Sequence, residues 1–77
     1  MSFQDPIIVA ADPAASGVQA HHRDFPEIRA RGRSPEDAIK RLLLQLERTL
    51  DSALTIWRRE AIEKAIAETQ AFEFAHV

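Results

Sequence analysis

The sequence predicts a small α+β domain, in which a three-stranded antiparallel sheet is covered by one amphipathic helix and followed by a second helix. Two observations carry this prediction. Three short segments with strand character, separated by turn residues, fill residues 6–33. The helix start Ser34-Pro35-Glu36-Asp37 follows directly and opens a run with apolar residues at spacings of three and four.

Length and composition indicate one domain that spans residues 1–77. The chain has a hydrophobic fraction of 45%, enough for one modest core, and it has no cysteine. Disulfide bonds and thiolate metal sites are therefore excluded. Because small domains without such staples often gain stability by sharing buried surface, we expect a dimer or a higher oligomer.

The charge balance gives no overall attraction to nucleic acid or to an anionic membrane, because the formal net charge is −2. No apolar run reaches the roughly 18 residues that a transmembrane helix needs. The first residues, MSFQDPIIVAAD, contain acid rather than the basic segment that opens a signal peptide. We therefore expect a cytoplasmic protein that does not bind membranes.

The sheet is predicted from three segments. Residues 7–11 form a short β-branched run, and residues 18–23 alternate apolar and polar side chains. Residues 12–17 carry the Asp, Pro, Ser and Gly of a turn. Residues 24–26 are expected to break the second strand, because Pro26 lacks the N–H that a ladder needs. Residues 27–33 form the third strand and complete an antiparallel meander.

The main helix is predicted for residues 34–51. Ser34 stands where a helix N-cap is expected, and Pro35 suits the first helical position. The apolar stripe that faces the sheet consists of Ile39, Leu42, Leu43, Leu46, Leu50 and Ala53. Leu44 lies well away from this stripe, which indicates a second apolar contact, most simply with another subunit.

A second helix is predicted for residues 56–70. Trp57 continues the stripe of the first helix, but the later apolar positions fall on a face rotated by roughly a quarter turn. A single straight helix would not bury both faces, so we expect the chain to bend or break within residues 51–56. Asp51, Ser52 and Thr55 are available there as capping residues.

Residues 71–77 are predicted as a tail or a short edge strand. Phe72 and Phe74 alternate with Glu73, which is the period of two that a strand shows.

No catalytic, metal or cofactor site is predicted. His21 and His22 are neighbours on a strand and point to opposite faces, so they cannot share one metal ion in a regular ladder. The glutamates of the second helix alternate with basic residues at the spacing of a solvated face. The sequence also lacks a glycine-flanked nucleophile and a glycine-rich phosphate loop. We expect a protein without enzymatic activity and without a cofactor.

The candidate contact residues are basic and lie on one predicted face of the sheet: Arg23, Arg29, Arg31 and Arg33. Such a ladder is able to bind carboxylates or phosphates with its planar guanidinium groups. The alternative is that these charges protect an edge strand from aggregation. No aromatic residue alternates with the arginines to stack on bases, so a nucleic-acid-binding function is kept as the alternative to a protein contact.

Residues 21–50, HHRDFPEIRARGRSPEDAIKRLLLQLERTL, resemble the strand–strand–helix core of the HicB-like antitoxin domain. The matching positions are Phe25, Pro26, Gly32, Ser34, Pro35, Glu36, Asp37 and Ala38. Glu27-Ile28-Arg29 stands where the family usually has Pro-Gly-Cys after the Phe-Pro segment.

The resemblance implies a degenerate relative of the RNase H fold without its catalytic acids. Such proteins oligomerise and block a small toxin that cleaves mRNA, and many have a separate DNA-binding segment. Residues 51–77 lack the pattern of a DNA-binding module. The resemblance thus implies a non-enzymatic interaction module, antitoxin-like in binding a small basic toxin. Its expected contact residues are the four arginines named above and Leu44. An orphan oligomerisation module is a further alternative.

Overall fold

The computed structural model describes residues 6–12 and 17–75, and it confirms the predicted α+β class. The elements in chain order are β1 (Ile7–Ala11), β2 (Val18–His22), β3 (Phe25–Gly32), α1 (Pro35–Asp51) and α2 (Ile56–Ala75).

The three strands form the predicted antiparallel meander in the order β1-β2-β3. Ala20 at the centre of β2 lies opposite Val9 of β1 and Ala30 of β3. Ala20 and Ala30 are both buried and face the helices. Because β2 is the middle strand, β1 and β3 are the two edges of the sheet.

β3 begins earlier than the sequence indicated. Phe25 and Pro26 belong to β3, whereas residues 24–26 are expected from the sequence to separate the second and third strands. The register between β2 and β3 shifts between His21 and His22, so Pro26 lies beside an irregular pairing on an edge strand. A proline that cannot donate to a ladder is tolerated at such a position.

α1 begins as predicted and packs through most of the predicted stripe, but Leu43 of that stripe is only half-buried and does not join the core. Ser34 is the N-cap, and its Oγ accepts a hydrogen bond from the Asp37 N–H at 3.2 Å. The helix lies against β3 and β2. The core combines residues of the sheet and both helices: Ile7, Ala20, Phe25, Ala30, Ala38, Ile39, Leu42, Leu46, Ile62 and Ala65.

Gly32 allows the end of β3 to approach the first turn of α1 closely. A Cβ at this position would overlap the backbone nitrogen of Ala38 and lie 2.8 Å from Asp37 Oδ2. No described glycine has a positive φ. Gly32 is therefore required for space and not for a left-handed conformation.

The helical conformation is interrupted between α1 and α2, within the predicted segment 51–56. α1 ends at Asp51, and the Ser52 N–H bonds to the Thr49 carbonyl at 3.2 Å. Thr55 caps α2, because its Oγ1 accepts the N–H of Arg58 at 3.1 Å. α2 packs mainly on α1.

α2 is longer than predicted, and the expected C-terminal strand is wrong for residues 71–75, which are helical. Ile62, Ala65, Thr69 and Phe72 follow one another at helical spacing, and Phe72 is half-buried against the core. This packing keeps the chain helical at residues 72–74, although the alternation of these residues is typical of a strand. Residues 76 and 77 of the predicted tail lie outside the described residues.

Within residues 6–12 and 17–75, neither helix combines the length and the apolar character needed to cross a membrane.

Candidate functional site

The outer face of the sheet, opposite the helices, carries two of the four arginines that were predicted there. Arg29 lies opposite His21, and Arg31 lies opposite Gln19. Both arginines are exposed, while Ala30 between them is buried. The alternation along β3 is the one predicted.

Two hydrogen bonds establish which backbone groups of β2 point toward β1. The Asp12 N–H bonds to the Gly17 carbonyl at 3.0 Å, and the Arg23 N–H bonds to the Pro6 carbonyl at 2.9 Å. In an antiparallel ladder, residues that exchange hydrogen bonds alternate with residues that do not. The odd-numbered residues from 17 to 23 therefore direct their backbone groups toward β1.

The even-numbered residues of β2 consequently bond to β3, where Val18 faces Gly32 and Ala20 faces Ala30. Arg29 and Arg31 alternate with Ala30 and Gly32 along β3, so they direct their backbone N–H and carbonyl groups away from β2. No described strand pairs with that side of β3. The outer edge of β3 therefore presents the main-chain donors and acceptors of both arginines.

A groove of about 460 Å³ runs between this edge and α1. It is lined by Arg29, Ala30, Arg31, Arg41, Leu44, Gln45 and Arg48, and we call it the arginine groove. The α1 residues are spaced by three and four, so they share one helix face. The Leu44 side chain is 55% exposed and is the large apolar side chain of this face.

Two of the arginines in the groove are paired with carboxylates. Arg31 Nε lies 3.2 Å from Oδ2 of Asp12, which is buried. Arg41 Nε lies 3.2 Å from Oδ2 of Asp37, one helical turn before it. These contacts hold the two guanidinium groups in place and neutralise much of their charge.

The other two arginines of the groove keep their charge uncompensated. Arg29 Nε donates to the Pro26 carbonyl at 2.8 Å, which fixes the side chain without neutralising it. Arg48 has no carboxylate within salt-bridge distance among the described residues. The groove therefore offers two available cations, Arg29 and Arg48, together with the exposed Leu44.

Arg29, Arg31 and Leu44, all predicted as contact residues, come together in the groove. Arg33 lines an adjoining smaller pocket near the start of α1 instead. Arg23 does not line the groove and lies past the end of β2, with its Nε 3.9 Å from Asp24 Oδ1.

Arg41 and Arg48 were missed by the sequence analysis. They lie three residues before and four residues after Leu44, so they share a helix face with it. The position of Leu44 outside the apolar stripe is the sequence signal from which both arginines could have been identified.

The outer face also carries a perturbed histidine. Burial lowers the pKa of His21 from its usual value, and electrostatic interactions with Arg29 and then with His22 lower it further. The pKa of His21 therefore depends on the charge of Arg29.

His22 has a structural role on the opposite face. Its ring is buried, its Nδ1 accepts the Asp24 N–H at 3.1 Å, and its Nε2 lies 2.7 Å from Glu68 Oε1. Because Nδ1 accepts, Nε2 carries the ring proton and donates to Glu68. The part of the chain that the structure describes contains no group of three or more His, Cys, Asp or Glu side chains placed to hold a metal ion.

A second exposed feature lies where the helices meet. Leu54 is 97% exposed, Ile56 65% and Trp57 78%. We call these three residues the apolar corner. Trp57, which the sequence placed on the extended stripe of α1, is turned out to solvent because the chain breaks before it.

The chain was compared with known proteins at three levels. No family model matches it, and neither a curated protein nor a solved structure is significantly similar to it.

Proposed function

We propose that this chain is a non-enzymatic, HicB-like protein-interaction module that binds an anionic segment of another protein in the arginine groove. The observation that carries the proposal is that four arginines from β3 and α1 line one groove together with the exposed Leu44. Arg29 and Arg48 have no carboxylate partner among the described residues. Such a surface attracts negative charge and gains further affinity by covering an apolar side chain.

The chemistry of the groove favours a protein ligand. Arginine is enriched at protein interfaces, where its flat guanidinium group binds carboxylates with two hydrogen bonds. Leu44 adds an apolar contact to the same groove. A partner with acidic residues around an apolar one matches both features.

Nucleic acid is the second candidate ligand, because the same arginines are able to bind phosphates. No aromatic side chain lines the groove, so bases have no surface on which to stack. Binding would then depend on phosphate contacts and weaken steeply with salt.

The HicB resemblance supports the proposal at the level of architecture, since it implies a three-stranded antiparallel sheet packed on a helix. It also implies a small mRNA-cleaving toxin as partner, and we propose a cytoplasmic location on the same ground. The charge of the groove suits an acidic segment of such a toxin. A toxin that presents only basic surface would bind elsewhere on the chain.

We further propose that the chain self-associates through the apolar corner. Three large apolar side chains exposed side by side are unusual for a surface that stays in water. The corner is formed by other residues than the groove, so an oligomer built on it leaves the groove open.

Affinity purification of tagged variants from cells that produce the protein tests the proposal. The double variant Arg29→Glu/Arg48→Glu reverses the two available cations, and Lys64→Glu makes a single reversal on the exposed side of α2 as a control. We expect a protein partner that is retained by the wild type and by Lys64→Glu, and lost from the double variant. Retention of the partner by the double variant, or recovery of nucleic acid in its place, would overturn the proposal.

A further inference from the structure

We propose that the partner segment binds as an additional β-strand, paired with the outer edge of β3 and carrying acidic residues toward the groove. This inference rests on the proposed function and names the form in which the partner binds.

The edge of β3 is equipped for strand addition. The N–H and carbonyl groups of Arg29 and Arg31 point outward, and no described strand uses them. An added strand would pair with these groups as an extended peptide pairs with an open sheet edge. The next outward N–H, that of Arg33, already donates to a carboxylate of the chain itself, Asp37 Oδ2 at 3.0 Å.

The two walls of the groove define the side chains of the partner. Residues directly opposite Arg29 and Arg31 would point to the same outer face as these arginines, where acidic side chains are favoured. The residue between them would point to the α1 side, beside Leu44, where an apolar side chain is favoured. The residues two positions before and two positions after it would also point to the α1 side, toward Arg41 and Arg48, and are again expected to be acidic.

Charge argues against a second copy of this chain on the edge. Pairing β3 with β3 around a two-fold axis would bring Arg29 and Arg31 of one copy close to the same arginines of the other. Like charges opposed across strands are unfavourable. An acidic extended protein segment is the occupant that complements this edge.

The test uses the peptide acetyl-Glu-Glu-Val-Glu-Glu-amide and the full chain labelled with ¹⁵N. In the proposed pairing, the N–H groups of the second and fourth peptide residues bond to β3. One analogue is N-methylated at those two residues, and a matched analogue is N-methylated at the third and fifth. Binding is followed by amide shifts and hydrogen exchange of Arg29 and Arg31. The Ala30 amide, already bonded to β2, is the internal control.

We expect the parent peptide to slow exchange at Arg29 and Arg31. Methylation at the second and fourth residues should weaken binding by about tenfold or more, as the loss of two hydrogen bonds implies. Methylation at the third and fifth should leave affinity nearly unchanged.

The contrary results separate this inference from the proposed function. If both methylated peptides bind equally well, the groove binds acid but the edge does not pair, and strand addition is overturned. If the peptide leaves the Arg29 and Arg31 amides unchanged while the purified partner still depends on Arg29 and Arg48, the partner binds in another form. Stronger shifts with single-stranded RNA would favour a nucleic-acid ligand instead. Concentration-dependent protection of the two amides without peptide would identify a second copy on the edge.

Discussion

The backbone N–H of Arg33 donates to Asp37 Oδ2 at 3.0 Å, which ties the end of β3 to the first turn of α1. The same carboxylate oxygen accepts from Arg41 Nε at 3.2 Å. One acidic side chain therefore fixes the end of the sheet edge and orients one arginine of the groove. The hydrogen bond from Arg33 and the neighbouring Arg41 lower the pKa of Asp37.

Asp37→Asn should remove a pH-dependent part of the stability. Because the pKa of Asp37 is lowered by folding, the ionised form stabilises the fold fully above the usual aspartate pKa, and this contribution is lost as pH falls through the lowered pKa. Urea unfolding at several pH values should give the wild type a larger free energy of unfolding than Asp37→Asn near neutral pH. This difference in free energy should become smaller in acid. Glu63→Gln, on the exposed side of α2, is the control. A difference in the free energy of unfolding between wild type and Asp37→Asn that stays constant at all pH values would contradict this role of Asp37.

Gly32→Ala should destabilise the fold. Where space is open, replacing glycine by alanine usually stabilises by about 0.4–1 kcal/mol. Here the new Cβ would lie 2.8 Å from Asp37 Oδ2 and against the α1 backbone, so a loss of about 1–3 kcal/mol is expected. Urea unfolding measures the change in the free energy of unfolding. A variant that is more stable than the wild type would show that the close contact between β3 and α1 relaxes without cost.

Glu68→Ala should destabilise the fold by about 1–3 kcal/mol, because the buried Nε2–H of His22 loses its acceptor. Glu68→Gln keeps an acceptor oxygen, so its free energy of unfolding should fall less than that of Glu68→Ala. Glu63→Ala, on the exposed side of the same helix, should change the free energy of unfolding by less than about 0.5 kcal/mol. Equal losses for both alanine variants would mean that the contact between His22 and Glu68 carries no particular weight.

His21 should report occupancy of the groove. Its pKa is lowered by burial and then by Arg29 and His22, so Arg29→Gln should raise it. The Glu-Glu-Val-Glu-Glu peptide should raise it too, and by linkage should bind more tightly as pH falls through the titration of His21. The side chains facing His21 are Ile8 on β1 and Arg29 on β3. NMR titration of the His21 ring is the measurement, and a pKa unmoved by saturating peptide would place the peptide elsewhere.

The apolar corner should control the oligomeric state. Trp57→Glu, combined with Leu54→Glu, places charge on side chains that are almost wholly exposed in the single chain, so folding should be retained. Light scattering should then show wild type as a dimer or larger and the variant as a monomer. A wild type that stays monomeric at high concentration would contradict self-association, and the groove proposal would be unaffected.

The sequence was sufficient for the parts of the fold that depend on local chemistry. The N-cap at Ser34, the alternation along β3 and the break before α2 each follow from the side chains at those positions. The extent of α2 was not predictable in this way, because Phe72 is held by packing against the core and not by a local signal. Pro26 was placed outside the strand because the irregular pairing that accommodates it is a tertiary feature.

Half of the groove was also beyond sequence reasoning. Arg29 and Arg31 share a strand, so their common face follows from the period of two. Arg41 and Arg48 join them because α1 crosses the sheet beside the edge of β3, a placement that depends on how the whole core packs. The off-stripe position of Leu44 was the local sign of that second surface.

Photocrosslinking from Leu44 shows whether the arginine groove contacts a protein. Leu44 is replaced by p-benzoylphenylalanine in cells that produce the protein, and Lys64 is replaced in a parallel experiment as the control. We expect a crosslink from position 44 to a protein segment with acidic residues. This crosslink should be absent from position 64 and lost when Arg29→Glu and Arg48→Glu are added. Crosslinks from position 44 to nucleic acid or to a second copy of this chain would contradict it.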